Sequence, residues 1–157
     1  LAKNVLKYFP ECEVLMGTST AGIAHAAIVG HILGLPMGYV RSGNKDHGRQ
    51  NKIEGHYEKG DKVVVVEDLI STGGSSLECV DALREAGCEV LGMVAIFTYL
   101  LPKATVNFEA KNCSFKTLTN YDTLVEVAVE NNYIAPQDLE KLKAWKVNPA
   151  DESWMTK

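Results

Sequence analysis

The sequence predicts an α/β fold: a central, mostly parallel β-sheet flanked by helices. Two observations carry that expectation. The run Val63-Val64-Val65-Val66 is an unbroken stretch of β-branched residues, the composition of a parallel strand covered on both faces. On either side of it, short apolar runs alternate with helical patterns at near-regular spacing, as the crossovers of a parallel sheet require. A chain of 157 residues with 46% hydrophobic residues has the size and balance of one domain. No repeat, low-complexity tract or Pro/Ser-rich linker divides residues 1–157, so we expect a single domain.

The elements follow in order. Glu13-Val14-Leu15-Met16-Gly17 reads as a buried strand, and Ala21 to Leu33 carries Ile23, Ala27, Ile28 and Ile32 at helical spacing until Gly34 and Pro36 stop it. Met37 to Val40 is the next strand. From Arg41 to Lys62 the chain turns polar for about twenty residues, longer than an ordinary connection, and loops of that length are usually functional or disordered. The valine strand then ends in Glu67-Asp68, and Leu77 to Ala86 forms an amphipathic helix closed by Gly87. Glu89 to Thr98 is a further apolar strand. The remainder reads as helical around Thr105, Val106 and Phe108, around Leu124 to Ala128, and around Leu139, Leu142 and Trp145, with a short strand near Ser114 to Leu118.

Composition excludes several classes. With 16 Lys+Arg against 20 Asp+Glu, net charge −4 and no basic block, general nucleic-acid binding by counterion release is not expected. The longest near-apolar run, Val90 to Leu101, falls well short of the ~20 residues that span a bilayer, so no membrane partner is expected. Cys12, Cys79, Cys88 and Cys113 lie far apart without metal-ligand spacing, which suggests reduced, mostly buried thiols, no metal held by the protein, and the cytoplasm as the compartment. Nothing at the start resembles a signal peptide. The chain opens at Leu1 and is already apolar and helix-like at Val5, Leu6 and Tyr8, so we expect a further segment ahead of it.

In open α/β sheets ligands bind beyond the carboxyl ends of the strands. Three strand ends here carry chemistry. In VVVVEDLISTGGSS, two acids precede small and hydroxyl residues and a helix start, so backbone N–H groups and the Ser/Thr hydroxyls of Ser71 to Ser75 converge as a phosphate cradle. Neither the Walker A pattern nor G-x-G-x-x-G is present. The second strand end is Gly17-Thr18-Ser19-Thr20-Ala21-Gly22, which reads equally as an anion loop or as a helix N-cap at Ser19 or Thr20. The third is the long loop, which opens R-S-G-N-K-D-H-G with Arg41, Lys45, Asp46 and His47. Taken alone, charges on so long a loop also read as a solvated surface.

The segment Val63 to Ser75 resembles the phosphoribosyl-pyrophosphate (PRPP) motif of the type I phosphoribosyltransferases. The spacing of Arg41, Lys45 and His47 resembles the catalytic loop of the orotate phosphoribosyltransferases among them. That likeness covers about Leu15 to Leu118, and Ser76 to Gly87 continues it. It implies the type I phosphoribosyltransferase fold with a long flexible catalytic loop, at about residues 42–60. It also implies transfer of a phosphoribosyl group from PRPP to orotate, giving orotidine 5′-monophosphate and pyrophosphate on the route to UMP. Glu67 and Asp68 would face the ribose hydroxyls, and with Lys45 they would be the catalytic residues. PRPP would be bound by Arg41, Lys45, His47, Glu67, Asp68, Leu69, Ile70, Ser71, Thr72, Gly73, Gly74 and Ser75. Thr18, Ser19, Thr20 and Ala21 would form the pyrophosphate loop, and Ser71 would also touch orotate.

The likeness further implies Mg²⁺ carried mainly by PRPP, and a homodimer whose loop reaches the neighbouring subunit. It implies orotate contacts from a segment ahead of the first strand, where this sequence has only about a dozen residues. Ala21 stands where some members have Lys, Ser42 where some have a second basic residue, and Tyr99 near an Arg that reaches orotate. Two alternatives stay open: a phosphoribosyltransferase for another base, and a non-catalytic PRPP-sensing regulator on the same fold. His25, His31 and His56 receive no role, and Trp145, Trp154 and the tyrosines are expected to pack.

Overall fold

The computed structural model describes residues 1–41 and 52–151. A six-stranded sheet forms the centre, built from β1 (Val14–Thr18), β2 (Met37–Val40), β3 (Ile53–Gly55), β4 (Lys62–Ile70), β5 (Glu89–Thr98) and β6 (Phe115–Asn120). The strand order is β3-β2-β1-β4-β5-β6, with every neighbouring pair parallel except β2 with β3. Helix α1 (Ala2–Tyr8) precedes β1, α2 (Ala21–Leu33) joins β1 to β2, and α3 (Gly74–Glu85) joins β4 to β5. Helix α4 (Pro102–Ala110) joins β5 to β6, and α5 (Tyr121–Glu130) and α6 (Leu139–Val147) follow, separated by a 3-10 turn at Pro136–Asp138. No helix among the described residues is long and apolar enough to cross a membrane.

The valine strand explains the layering. Val63 and Val65 sit in the core with Val14, Met16, Leu77, Val80 and Phe108, under α3 and α4. Val64 and Val66 belong to the opposite core, with Val5, Leu15, Ala26 and Val29 of α1, β1 and α2. Successive side chains of a strand alternate between faces, so an unbroken valine run serves two cores at once.

Four expectations change. Strand β4 runs on through Glu67-Asp68 to Ile70, because β5 is ten residues long and its ladder continues to the Ile70–Thr98 pair. Helix α3 begins at Gly74, three residues before Leu77, since Gly73 takes a left-handed turn (φ 81°) that only glycine adopts freely. The loop expected over 42–60 is shortened from its far end: Ile53 is buried and draws Ile53–Gly55 into an antiparallel pairing with β2. Its portion from 42 to 51 lies outside the described residues.

The buried face of α2 also differs from the isoleucine spacing. Gly22, Ala26, Val29 and Gly30 face the sheet, while Ile28 and Ile32 are 58% and 62% exposed. Small residues at positions 22, 26 and 30 let the helix backbone approach the strands closely. A Cβ on Gly22 would strike Thr18 Oγ1 and the Val66 carbonyl.

Cys79, Cys88 and Cys113 are buried and Cys12 is half-buried, all four as free thiols. Burial pushes Cys12 up to about 11 and Cys79 up to about 12, which leaves them unreactive near neutrality. Trp145 packs against Tyr99 and Tyr121, with ring centroids 5.5 and 5.1 Å away. Truncation separates buried from exposed helix faces: Val29→Ala is expected to lower stability by about 1.5–3 kcal/mol. Val106→Ala, on the outer side of α4, should stay within about 0.5 kcal/mol, both read from urea unfolding.

Candidate active site

The strand order reverses between β1 and β4: the chain leaves β1 for β2 on one side and β4 for β5 on the other. Such a switch point opens a crevice at the carboxyl edge of an open parallel sheet. The strand ends that lead into the three expected site segments meet there. Register pairs Gly17 with Val66 and Thr18 with Val40, so the ends of β1, β2 and β4 lie side by side with their loops on one edge.

The loop after β1 lacks a side-chain cap. Thr20 occupies the N-cap position of α2 without a capping hydrogen bond, and the Ser19 hydroxyl donates to the Val40 carbonyl at 2.5 Å. Neither hydroxyl therefore closes off the first-turn N–H groups, which leaves this helix start open to an anion. The Ser19–Thr20 peptide is cis. Thr18 is buried, Ser19 half-buried, and Thr20 and Ala21 exposed.

The loop after β4 repeats that design. Helix α3 also starts without a side-chain cap, at Gly73. Leu69, Ser71, Gly74 and Ser75 are exposed, Thr72 is half-buried, and Ile70 and Gly73 are buried. Gly73 lies so close to the Phe108 ring that a Cβ would collide with it, and Asn107 Nδ2 donates to the Thr72 carbonyl at 2.9 Å. Helix α4 therefore braces the cradle from below. Asn107 had no signal in the sequence, because it lies 35 residues from its partner on an otherwise ordinary helix.

The two acids take different environments. Asp68 is half-buried at the edge. Glu67 was expected to face the ribose, yet it is only 6% exposed and turned into the fold. Its Oε1 accepts the Thr18 hydroxyl at 2.5 Å and the Asp68 N–H at 3.0 Å, and its Oε2 accepts the Ser76 hydroxyl at 2.8 Å. The reason is the strand period. Glu67 continues the Val63, Val65 column and Thr18 the Val14, Met16 column, all on the α3 side. Burial foremost, and then the adjacent Asp68 carboxyl, raise the Glu67 pKa above the usual carboxylate range, with the Thr18 and Ser76 hydroxyls drawing it partly back. Ser76 is the second residue that sequence reading missed: it falls one position past the small-residue loop.

Arg41 follows β2 at the same edge, exposed, with its guanidinium 3.2 Å from Glu54 Oε1. Lys45, Asp46 and His47 lie outside the described residues. The described residues contain no group of three or more His, Cys, Asp or Glu side chains placed to hold a metal ion.

Two uncapped helix starts flank a switch-point crevice with an acid at its mouth, an arrangement suited to an anionic ligand. Residues 1–130 match the Phosphoribosyl transferase domain family, and the chain belongs to that family. It is 58% identical over 155 residues to an orotate phosphoribosyltransferase of Bacillus pumilus, covering 99% of this chain and 73% of that one. Among solved structures, it is similar to orotate phosphoribosyltransferase from Aeropyrum pernix, with TM-score 0.73 and 25% identity over 85% of this chain and 75% of that one. It is also similar to the orotate phosphoribosyltransferase of Mycobacterium tuberculosis in complex with PRPP, with TM-score 0.63 and 25% identity over 76% and 68% of the two chains.

The raised pKa of Glu67 has a testable sign. Above pH 4.5, the ordinary value for its carboxyl, the unfolded chain loses this proton while the folded chain keeps it. The folded state then binds more protons, so this group's stabilising contribution is full below pH 4.5 and falls as pH rises through its raised value. Relative to Glu67→Gln, the unaltered protein should lose urea stability as pH rises from 4.5 to its raised value, and no more above it. A constant difference would show that Glu67 titrates like an exposed glutamate.

Proposed function

We infer that this chain transfers the 5-phosphoribosyl group from PRPP to orotate, forming orotidine 5′-monophosphate and releasing pyrophosphate, a step of pyrimidine synthesis. The observation that carries this reading is the pair of uncapped helix starts across the β1/β4 crevice, in a chain 58% identical to an orotate phosphoribosyltransferase. The two anion loops match the two charged ends of PRPP. The cradle at Ser71 to Ser75 takes the 5′-phosphate, and the loop at Thr18 to Ala21 takes the pyrophosphate. Leu69 and Ile70 lead the chain into the cradle, and Ser71 borders the base.

Asp68 faces the ribose hydroxyls and stabilises the positive charge that develops on the sugar as the bond to pyrophosphate breaks. Arg41, Lys45 and His47 close over the leaving group, where positive charge is most effective in the transition state. The exposed Arg41–Glu54 pair is of the weak surface kind, so Arg41 exchanges readily from Glu54 to pyrophosphate.

Magnesium fits as an ion brought in on PRPP, supplying charge neutralisation at the pyrophosphate, since of the Glu67–Asp68 pair Glu67 is engaged by hydroxyls and only Asp68 offers an accessible carboxylate. The expected homodimer, with its loop reaching the neighbouring subunit, is part of this proposal, and the outward apolar side chains of Ile28 and Ile32 on α2 are its candidate contact surface. A cytoplasmic location is supported by the four free thiols.

The direct test is pyrophosphate release from PRPP and Mg²⁺ in the presence of orotate, uracil, adenine, hypoxanthine or no base. Release with orotate alone is expected; release with another base reassigns the substrate, and PRPP binding without release identifies a sensor. Two substitutions separate the roles. Lys45→Ala should lower kcat by about 10²–10³ while PRPP affinity changes little, as for a group that acts on the transition state. Asp68→Asn should weaken PRPP binding and turnover together, by about tenfold or more, because it weakens a hydrogen bond to a charged acceptor. Equal losses of kcat and affinity in Lys45→Ala would remove its transition-state role.

A further inference from the structure

The buried carboxylate at the switch point has no cationic partner among the described residues, only three neutral donors. Removing a carboxylate from water on those terms is unfavourable, as its upward pKa shift also indicates, so core stability does not explain its place. Its partners do. Thr18 ends β1 and begins the loop into α2, and Ser76 lies in the first turn of α3, 9 residues beyond Glu67 in sequence. Thr18 is 6% and Ser76 2% exposed, so both hydroxyls act inside the fold. The contact reaches α2 as well, because Gly22 packs directly on Thr18 Oγ1 and the Val66 carbonyl.

One carboxylate therefore spans the crevice and ties the start of α2 to the start of α3. We propose that the chain Thr18–Glu67–Ser76 is a strut that fixes the separation of the two anion loops, with Glu67 and Ser76 as positioning residues for a ligand held at both ends. This rests on the PRPP reading above. PRPP carries a pyrophosphate on C1 and a phosphate on C5, and binding both at once is favourable only when the two loops already stand at the matching distance. A ligand that touches one loop gains nothing from that constraint.

The distinction is measurable in the full chain with Ser76→Ala, Thr18→Val and the double variant. Inorganic pyrophosphate should bind Ser76→Ala, and ribose 5-phosphate both Ser76→Ala and Thr18→Val, within about twofold of the unaltered protein, while PRPP affinity falls about tenfold in all three. Because cutting either end releases the strut, the double variant should be no worse than the singles. Ser76→Thr and Thr18→Ser, which keep the hydroxyls, should restore PRPP binding. Parallel loss of ribose 5-phosphate and PRPP in Ser76→Ala would overturn the proposal in favour of local damage to the cradle, as would additive losses in the double variant or unchanged PRPP affinity.

Hydrogen exchange needs no ligand, and it keeps this test separate from the assignment of substrate. Faster exchange of amides 18–22 in Ser76→Ala, across the crevice from the substitution, supports the strut even if orotate proves not to be the base. Faster exchange confined to residues 71–76 overturns it.

Discussion

The parallel pairing of β1 with β4, buried on both faces, is the constraint on which the rest of this structure depends. A parallel strand cannot be joined to its neighbour by a hairpin, so helices must cross over, and a strand of valines needs cover on both sides. Helices α1 and α2 cover one side, and α3 and α4 the other. The crossovers leave β1 and β4 in opposite directions, which places two helix starts on either side of one crevice. The site follows from the way the core is closed.

That arrangement also settles an electrostatic difficulty. A chain with net charge −4 and no basic block in its sequence must draw positive charge for an anionic ligand from local groups. Backbone N–H groups at two uncapped helix starts supply oriented partial positive charge at short range, where a diffuse field is not needed. Helix α5 differs in that Asn120 caps it by accepting from the Thr123 N–H, which occupies one of its first-turn donors. Ala21 in place of a lysine is compatible with the proposed scheme, in which the loop's charge would come from the main chain and the cationic side chains from the segment that begins at Arg41.

Much of this was legible in the sequence because it is local. The limits of α2, β2 and β5 follow from periodicity and from Gly and Pro punctuation, and the cradle announces itself through small and hydroxyl residues after a strand. The buried face of α2 was not legible: AGIAHAAIVGHIL is apolar almost all round, and the sheet selected the side with the smallest residues rather than the isoleucines. Nor was the division of labour in Glu67-Asp68. Adjacent acids look equivalent in a string, and only the columns of Val63 and Val65 beside Val14 and Met16 show that Glu67 must meet a partner 49 residues away. Ser76 and Asn107 matter through contacts of the same long-range kind.

The site thus has a fixed floor and an exchangeable rim, and the difference is one of burial. On the floor, Thr18, Glu67 and Ser76 hold one another away from water, where an unmade hydrogen bond leaves a polar group unsatisfied at about 1–3 kcal/mol, so the arrangement resists change. On the rim, Arg41 holds Glu54 in an exposed pair of a kind that contributes about 0–1 kcal/mol. The guanidinium can leave that partner for a pyrophosphate at little cost. A transferase that must hold the sugar in one pose, yet admit and release pyrophosphate each turnover, needs rigidity beneath the ribose and weak attachment around the leaving group. In the proposed scheme, hydroxyls buried against a carboxylate would provide the first, and a solvent-exposed ion pair the second.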